Sequence, residues 1–568
     1  MILGINDGHD AGIALLDDFG EVLYAANEER FTGVKQQWGM PWLALDAGLR
    51  HVGATGGDIN TVAFGFEGLV ETQSSSSLQR REVGGTRRLF TLASAVAGPL
   101  METGLAREGI RLLAGSFRRN SADVRLLLKK LDFHPALRFV NHHTAHAASA
   151  YFSSGFEDAA VITIDAGGDG VSGSLWAGEG GKLIHREWLS RIHSLGDFWL
   201  AVTLLCGFDP DKHGGKITGL AAYRPNPEAL QALKGLYEPV EGRFAIRNRH
   251  HLFWHRLVHR LRKVMAPYNR EEIAWAAQRL LEELVVHLVR EGIRQTGHDR
   301  VAVAGGVFAN VRLNMEIVKQ AGVSSFFVHP HMGDGGTAMG AAWQVLSQRR
   351  RVLPRAFEHV FFGDLASVET EESPEGLVSS GKLNLEELVL RTAEALQEGK
   401  VVAVTRGRME YGPRALCHRS ILHHPFDPTV MDWLNERLDR TEFMPFAPVL
   451  RERDLHRYFK DVESTRLAAR FMTVCLKATA KARNEAPAIV HVDNTARPQT
   501  VARGTDPFMY DLLTEFGRRS GTPILINTSF NRHEQPIVRT ERQAFEELRR
   551  GVVDWLVLDD AIWTRGTQ

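Results

Sequence analysis

Residues 159–176 read AAVITIDAGGDGVSGSLW, which is an apolar run, a turn of glycines and aspartates, and a second apolar run. Apolar runs on both sides of a glycine-rich turn are typical of two paired β-strands. Glycine at such a turn lets backbone amides approach a phosphate closely, and an aspartate there can hold a metal ion that bridges phosphate oxygens. The stretch therefore predicts a strand–turn–strand unit with phosphate-binding character.

The same pattern occurs twice more in the chain. Residues 2–16 again read as strand, Asp/Gly turn and strand, and residues 301–307 read as a buried strand that ends in Gly305-Gly306 before a helix from about Asn310. Two echoed hairpins and a glycine–helix junction indicate a duplicated domain of the actin-like ATPase type. The candidate nucleotide-binding residues are Asp7, Gly167, Gly168 and Gly306 in these turns and Gly336 in the glycine-rich turn 331–336.

A histidine cluster, Asn141-His142-His143-Thr144-Ala145-His146, is a candidate metal site. His142 and His146 are four residues apart, so on a helix they share one face and can chelate one ion. Asp334, at the glycine-rich turn 331–336, adds a carboxylate. Two imidazoles and a carboxylate with open positions suit Fe(II), Zn or Mn better than Mg. The alternative is a surface histidine cluster that holds no ion.

His9 lies in the first glycine-rich turn, NDGHD at 6–10. A neutral imidazole at this position can take the proton of an attacking hydroxyl group. The alternative is that His9 only hydrogen-bonds the turn.

Arginine is concentrated in residues 406–420, RGRMEYGPRALCHRS, after a buried strand. Guanidinium groups match phosphate and carboxylate oxygens with two parallel hydrogen bonds. The stretches TARPQ (495–499) and NTSFN (527–531) add another arginine and several short hydrogen-bonding side chains. Together they predict an anion site of the phosphate type, with purely structural roles as the alternative.

The bulk composition limits the class of protein. A chain of 568 residues is too long for one hydrophobic core, so roughly two to four domains are expected. Lys+Arg and Asp+Glu both total 68, which gives no electrostatic reason to expect a nucleic-acid or membrane partner. The three cysteines form no CxxC pair, and MILGINDGHD has no signal-peptide pattern. We therefore predict a cytoplasmic protein.

Composition also suggests where the domains divide. We predict a first domain over 1–362, with a helical insertion at about 67–135 whose basic residues either line a substrate entrance or form a solvated face. The acidic stretch 363–383 reads as a linker, and a second α/β domain is predicted over 384–568, beginning with a helix at about 385–397.

In chain order, these motifs resemble the NodU/CmcH family of O-carbamoyltransferases. The matching stretches are GINDGHDAG, NEERFTGVK, HHTAHAASAYFSSGF, VITIDAGGDG, HGGKITGLAAY, GGVFANVRLN, GDGGTAMGAA, GRMEYGPRALCHRS, PFAPVL, VDNTARPQTV and LINTSFN. The resemblance implies a duplicated actin-like ATPase (ASKHA, Kae1-like) domain followed by a YrdC-like α/β domain. The second is expected to form carbamoyl-adenylate from carbamoyl phosphate and ATP with Mg. The first is expected to transfer the carbamoyl group to a hydroxyl of a small natural product, as in antibiotic biosynthesis.

The resemblance also assigns roles to particular residues. It implies that Fe(II), or another divalent transition metal, is held by His142, His146, Asp165 and Asp334. The implied catalytic residues are His9, Arg414 and Arg419. Gly306 and Asn310 are expected near the adenosine. The residues expected to hold carbamoyl phosphate and nucleotide phosphates are Arg414, Arg419, Arg440, Arg497, Ser529 and Asn531.

This chain departs from the family pattern near the second site. Leu438 and Met444 replace usual basic residues, while Arg440 remains and Arg437 is the candidate to compensate. Cys417 stands where glycine is common. Three other functions stay open: a tRNA threonylcarbamoyl-modifying enzyme, an ASKHA-fold small-molecule kinase, and a non-catalytic nucleotide-binding regulator. The sequence does not identify the acceptor, and a homodimer is one open alternative for the assembly.

Overall fold

The computed structural model describes residues 1–68, 121–252, 254–366, 374–440 and 444–566. The chain divides into two compact units: Met1–Leu23 with Trp38–Phe357, and Tyr24–Gln37 with Glu358–Gln568. The division after 357 lies near the predicted domain boundary. The segment 24–37 departs from the prediction by clustering with the second unit. Composition gave no sign of this, because the change of unit falls inside a continuous strand, Val22–Asn27.

Two five-stranded sheets form the centre of the first unit. Its strands in chain order are β1 (Ile2–Asn6), β2 (Gly12–Leu16), β3 (Val22–Asn27, which continues into the second unit), β4 (Thr61–Phe64), β5 (Ala136–Phe139), β6 (Asp158–Gly168), β7 (Val171–Glu179), β8 (Lys182–Ser190), β9 (Tyr237–Pro239), β10 (Ile246–Asn248), β11 (Arg300–Ala304) and β12 (Ser325–Val328). The sheet orders are β3-β2-β1-β4-β5 and β8-β7-β6-β11-β12, and β9 pairs with β10.

The two large sheets share one connectivity. In each, the first strand pairs antiparallel with the second and parallel with the fourth, as β1 does with β2 and β4, and β6 does with β7 and β11. The repeated connectivity confirms the duplication predicted from the two echoed hairpins and the actin-like arrangement of the α/β fold.

The helices of the first unit cover these sheets. Their bounds are Trp42–Val52, Ala122–Leu131, His142–Ser154, Leu195–Leu205, Gly214–Leu220, Pro227–Lys234, Trp254–Met265, Arg270–Thr296, Val311–Gln320 and Thr337–Arg349. Helix Ala122–Leu131, capped by the Ser121 hydroxyl, is the described helical part of the predicted insertion 67–135, of which 69–120 lie outside the described residues. Within the described ranges of the chain, no helix is both long enough and apolar enough to cross a bilayer.

A mixed eight-stranded sheet forms the centre of the second unit. The strands are β13 (Phe361–Leu365), β14 (Leu377–Lys382), β15 (Val402–Thr405), β16 (Arg408–Glu410), β17 (Arg419–His423), β18 (Ala447–Arg451), β19 (Leu476–Lys477), β20 (Thr495–Ala496), β21 (Gln499–Val501), β22 (Ile524–Ser529), β23 (Trp555–Leu558) and β24 (Ala561–Arg565). The order of the large sheet is β14-β24-β23-β15-β17-β22-β18-β21. The smaller pairs are β13 with β16 and β19 with β20.

The core of the second unit includes one predicted helix. Leu388 and Leu396 of helix Leu385–Gln397, at the predicted position, pack with Leu512 and Phe516 of another helix. The helices of this unit are Glu29–Thr32, Leu385–Gln397, Val430–Arg437, Leu455–Tyr458, Arg466–Ala469, Ala480–Glu485, Pro507–Ser520 and Glu541–Arg549. An α/β unit is thus present, whereas its YrdC-like character stays a prediction.

The predicted linker 363–383 is wrong at both of its ends. β13 covers the first end and pairs with β16, and β14 covers the last end and pairs antiparallel with β24. β14 is an edge strand with mostly exposed residues, LVSSGK, so it lacks the apolar pattern that marks a buried strand. Residues 367–373 of the predicted linker lie outside the described residues.

Candidate metal centre and anion site

Four side chains from three parts of the first unit converge on one point. His142 and His146 lie on helix His142–Ser154, Asp165 is in β6, and Asp334 begins the short turn before helix Thr337–Arg349. One ligand atom from each lies within 4.8 Å of those of the other three. His142 Nε2 is 2.8 Å from Asp165 Oδ2. Asp334 Oδ1 lies 3.7 Å from Nε2 of His142 and 3.6 Å from Nε2 of His146.

The donor set fits a divalent transition metal. The Nε2 atoms of His142 and His146 lie only 3.1 Å apart. A neutral imidazole nitrogen either donates or accepts a hydrogen bond, so two facing nitrogens need a proton or a cation between them. Cis ligands of an ion with bonds of about 2.1 Å are about 3 Å apart, which matches this separation. The side chain of Asp334 is 26% exposed while the two imidazoles are buried, so the site has one accessible side.

The charges around the four side chains stabilise one another. Burial lowers the pKa of His146, but hydrogen bonds to Asp165 and Asp334 and their charges outweigh burial and raise it to about 9. Burial raises the pKa of Asp165, but His143 and His142 outweigh burial and hold it well below its usual range. Asp165 is therefore ionised at neutral pH, as a carboxylate ligand of a metal has to be. Binding of a metal at His146 has to displace a proton.

Asp169 positions the helix that carries both histidines. Its carboxylate accepts hydrogen bonds from the backbone N–H groups of Glu67, Gly68 and His142, at 3.0, 2.7 and 2.8 Å. An anion at the first turn of a helix also complements the helix dipole. The sequence showed Asp169 only as part of the glycine-rich turn, and nothing there indicated that it reaches His142.

The His142 ring is held by packing against Phe66 and the backbone at Gly168. Phe66 stacks on it with the ring centroids 4.1 Å apart. A Cβ atom at Gly168 would overlap the ring carbons, so only glycine leaves room for the imidazole there. Among the described residues, the buried Nδ1 atoms of His142 and His146 have no hydrogen-bond partner. Ring contacts and the helix backbone therefore orient the two ligands.

His9 is half-buried beside Trp38, whose ring meets it edge-on at 5.5 Å. The Asn6 amide holds the turn by donating to the backbone oxygens of His9 and Asp10, at 2.6 and 3.2 Å. Burial lowers the pKa of His9, but Asp10, whose carboxylate is 3.4 Å away, outweighs burial with help from Asp334 and Asp211 and raises it to about 9. His9 is thus charged at neutral pH here, whereas the role of a base requires the neutral form.

The remaining predicted residues of the first unit lie on glycine-rich turns. Gly167 has φ +145° and faces Arg191, and Gly336 packs against the His331 backbone. Gly306 faces open space, as a turn that receives a ligand requires. Asn310 is buried, caps helix Val311–Gln320 and donates to Gln278 at 2.8 Å. Asp7 lies half-buried in the first turn.

In the second unit, Arg414 and Arg497 form the candidate anion site. The charge of Arg497, followed by burial, lowers the pKa of Arg414 to about 9. Nε of Arg414 is buried and has no hydrogen-bond partner among the described residues. Two close guanidinium groups repel each other, and an anion between them removes this repulsion. The same two motifs also line a pocket through Leu416, Gln499 and Thr500.

Arg419, a second arginine of the same motif, has its own set of backbone contacts. It is completely buried at the start of β17, and its guanidinium donates to the carbonyl oxygens of His418, Arg406 and Gly407 at 2.8, 2.9 and 3.1 Å. These contacts bind both terminal nitrogens of its guanidinium within the protein, while its buried Nε has no hydrogen-bond partner among the described residues. In this position Arg419 binds the backbone of the arginine-rich loop, and its catalytic role stays a prediction.

Arg440 organises the loop that follows β22. It donates to the Thr528 hydroxyl at 2.8 Å, to the Ser529 carbonyl at 2.7 Å, and to the carbonyl and side-chain oxygens of Asn531 at 2.7 and 3.0 Å. The predicted residues Ser529 and Asn531 are thus brought together, with Arg440 holding them. The side-chain NH2 group of Asn531 donates hydrogen bonds to the carbonyl oxygens of Arg532 and Gln535.

Glu410 shapes the arginine-rich loop, and the sequence did not single it out. Its buried carboxylate accepts from the backbone N–H groups of Leu416, His418 and Arg419, at 2.8, 2.8 and 3.0 Å. Cys417, at the tip of this loop, has φ +87°, a left-handed conformation that favours glycine. This backbone geometry explains why glycine is common at that position in the family pattern.

The two departures near Arg440 have different structural outcomes. Leu438 is completely buried, so it contributes apolar packing where a charge was expected. Arg437 pairs with Asp554 at 2.6 Å and donates to the Gly551 carbonyl at 2.8 Å. The expectation that Arg437 compensates for the missing cation is therefore wrong, because its guanidinium is already bound within the fold. Met444 is half-buried.

Protein-family models match most of each of the two units. The model "Carbamoyltransferase N-terminus" matches residues 1–343, and "Carbamoyltransferase C-terminus" matches residues 393–565. Nodulation protein NolNO of Sinorhizobium fredii is 31% identical over 97% of this chain and 78% of its own length. Nodulation protein NolO of Bradyrhizobium diazoefficiens is 33% identical over 74% of this chain and 78% of its own. The 3'-hydroxymethylcephem-O-carbamoyltransferase of Amycolatopsis lactamdurans is 34% identical over 40% of this chain and 42% of its own. The chain belongs to the carbamoyltransferase family and is an O-carbamoyltransferase of the NodU/CmcH type.

Proposed function

We propose that this O-carbamoyltransferase works in two steps that use separate sites. The second unit, of YrdC-like type, forms carbamoyl-adenylate from carbamoyl phosphate and ATP with Mg. The first unit then transfers the carbamoyl group to a hydroxyl of a small natural product. The observation that carries this proposal is that each unit has its own charged cluster: a buried His/Asp centre in one, and a pair of repelling guanidinium groups in the other.

For the first step, Arg414 and Arg497 bind the phosphate groups. The two guanidinium groups repel each other in the ligand-free protein. An anion between them removes this repulsion and also accepts hydrogen bonds, and both effects favour its binding. Glu410 keeps the backbone of the loop in place. Arg440 binds the side-chain oxygens of Ser529 and Asn531 and so fixes the loop that carries both residues.

For the second step, the adenylate is held at the glycine-rich turns, with the adenosine near Gly306 and Asn310. The hydroxyl oxygen of the acceptor attacks the carbamoyl carbon, the bond to AMP breaks, and His9 takes the hydroxyl proton. His142, His146, Asp165 and Asp334 would hold a divalent metal, with Fe(II) as the family expectation, and the metal would supply positive charge near the departing phosphate. His9 has to be neutral to act as a base. Because the charges of Asp10 and Asp334 raise its pKa, they set the pH above which His9 can take the proton.

The relatives narrow the class of acceptor. One relative is named for carbamoyl transfer to a hydroxymethyl group of a cephem, and others are named nodulation proteins. We infer that the acceptor here is also a small hydroxylated molecule, bound by the first unit.

The test is a reaction of the full chain with carbamoyl phosphate, ATP and Mg, followed by mass spectrometry. Carbamoyl-adenylate without acceptor, and a carbamoyl mass gain on one of a panel of hydroxylated natural products, are the expected results. AMP-ester formation that requires threonine and bicarbonate instead would indicate the tRNA-type reaction. A phosphorylated acceptor would indicate a kinase.

A further inference from the structure

We propose that His143, the histidine between the two candidate ligands, is a positioning residue that holds Asp165 for the metal through a fixed tautomer. The side chains of this network are Trp176, Ser174, Thr163, His143 and Asp165. All except Trp176, which is 7% exposed, are buried to 4% exposure or less. This inference rests on the proposed function, because it concerns how one ligand of that metal centre is oriented.

The network is a continuous chain of short hydrogen bonds. Trp176 Nε1 lies 2.8 Å from Ser174 Oγ, which lies 2.6 Å from Thr163 Oγ1. Thr163 Oγ1 lies 2.7 Å from Nδ1 of His143. Because β6 and β7 pair with Thr163 opposite Ser174, the two hydroxyl groups meet across this hairpin.

The direction of these hydrogen bonds follows from their far end. An indole N–H can only donate, so Ser174 accepts from Trp176 and has Thr163 as the acceptor for its own proton. Thr163 then donates its proton to Nδ1 of His143. The reverse direction would leave the buried Ser174 hydroxyl proton without an acceptor among the described residues, which is unfavourable. Nδ1 of His143 is therefore an acceptor, and the ring proton is on Nε2.

This proton faces the candidate metal centre. Nε2 of His143 can donate to the Val171 carbonyl oxygen at 3.2 Å. Oδ1 of Asp165, which has no hydrogen-bond partner among the described residues, lies at ion-pair distance, 3.2 Å, from the same nitrogen. Both are acceptors, so both favour a proton on Nε2. Attraction of Oδ1 toward His143 leaves Oδ2 of Asp165 facing His142 at 2.8 Å and His146 at 3.3 Å. His143 thus acts on the metal through the orientation of Asp165.

A matched pair of substitutions separates this role from packing. The side-chain amide of glutamine can place a donor near the position of Nε2, whereas asparagine places its amide near Nδ1 and has no donor for Asp165. With Co²⁺ as the probe, we expect His143→Gln to keep affinity within about threefold and His143→Asn to lose about 10–100-fold, as other contacts behind metal ligands do. Thermal unfolding of both variants shows whether the fold is retained.

The tautomer is measured directly in the metal-free wild-type protein. NMR of protein labelled with ¹⁵N in the histidine rings, with His143→Gln to assign the signal, is expected to show Nδ1 without a proton and Nε2 with one. A proton on Nδ1 of His143, or equal Co²⁺ affinity of the Gln and Asn variants, overturns the inference. Wild-type Co²⁺ affinity in His142→Ala would instead overturn the metal centre of the proposed function, while the tautomer result still decides the hydrogen-bond direction.

Discussion

Arg497 is the neighbour that most strongly lowers the pKa of Arg414, to about 9. A protein gains no stability from holding two cations together, so the arrangement indicates a site shaped for an anion. Arg419, only five residues after Arg414, has the opposite environment, with its guanidinium bound to three carbonyl oxygens. The two arginines of one motif are therefore expected to respond differently to substitution.

Replacing each arginine by glutamine tests this difference. Arg414→Gln removes repulsion, so the ligand-free protein should gain about 1 kcal/mol of stability while carbamoyl-adenylate formation is lost. Arg419→Gln removes the bonds of a buried guanidinium and should cost about 2 kcal/mol or more. Chemical denaturation measures both changes. Equal destabilisation by the two substitutions would contradict the assignment of Arg414 to an anion site.

Gly168 is expected to be essential for the geometry of the metal centre. A Cβ atom at this position would overlap the His142 ring, so Gly168→Ala should displace the imidazole and lower Co²⁺ affinity about 10–100-fold. Gly504→Ala is the matched control, because a Cβ atom there has no neighbour within 4 Å. Isothermal titration with Co²⁺ gives both affinities. An unchanged affinity in Gly168→Ala would show that His142 is not a ligand.

The pH dependence of carbamoyl transfer reports on His9. Its pKa of about 9 means that it is charged at neutral pH and becomes a base only as the pH rises. The transfer rate should therefore increase with pH up to about 9, by up to tenfold per unit. The Asp10 carboxylate contributes most to raising the pKa of His9, and Asp10→Asn removes its charge. The increase in transfer rate should therefore occur at lower pH in this variant.

Two controls accompany the pH measurement. His9→Ala should abolish the rising limb of the profile, and Asp18→Asn, at an exposed position in the next turn, should leave it in place. The rate of a preformed adenylate reacting with an acceptor is the quantity to follow. A profile that keeps its midpoint in Asp10→Asn would exclude His9 as the titrating base.

Local patterns in the sequence predicted some features of the site. The spacing of His142 and His146 places both on one face of a helix, and the structure brings them together with Asp334 and with Asp165, which came from the family resemblance. That these residues bind a metal stays a prediction. The two echoed hairpins predicted the duplicated sheets because a strand–turn–strand pattern is also local.

Contacts between distant parts of the chain were not predictable. Asp169 and Glu410 each accept three backbone N–H groups, and no residue pattern distinguishes them from solvated carboxylates. Arg419 looked equivalent to Arg414 because a motif does not show which residue begins a buried strand. The edge strand β14 looked like a linker because most of its side chains are exposed.

Separate assay of the two half-reactions tests the central claim, that activation and transfer use different sites. His142→Ala should still form carbamoyl-adenylate from carbamoyl phosphate and ATP but lose metal binding and transfer to the acceptor. Arg414→Gln should lose adenylate formation but still transfer from supplied carbamoyl-adenylate. Loss of both half-reactions to the same extent in each folded variant would contradict the account.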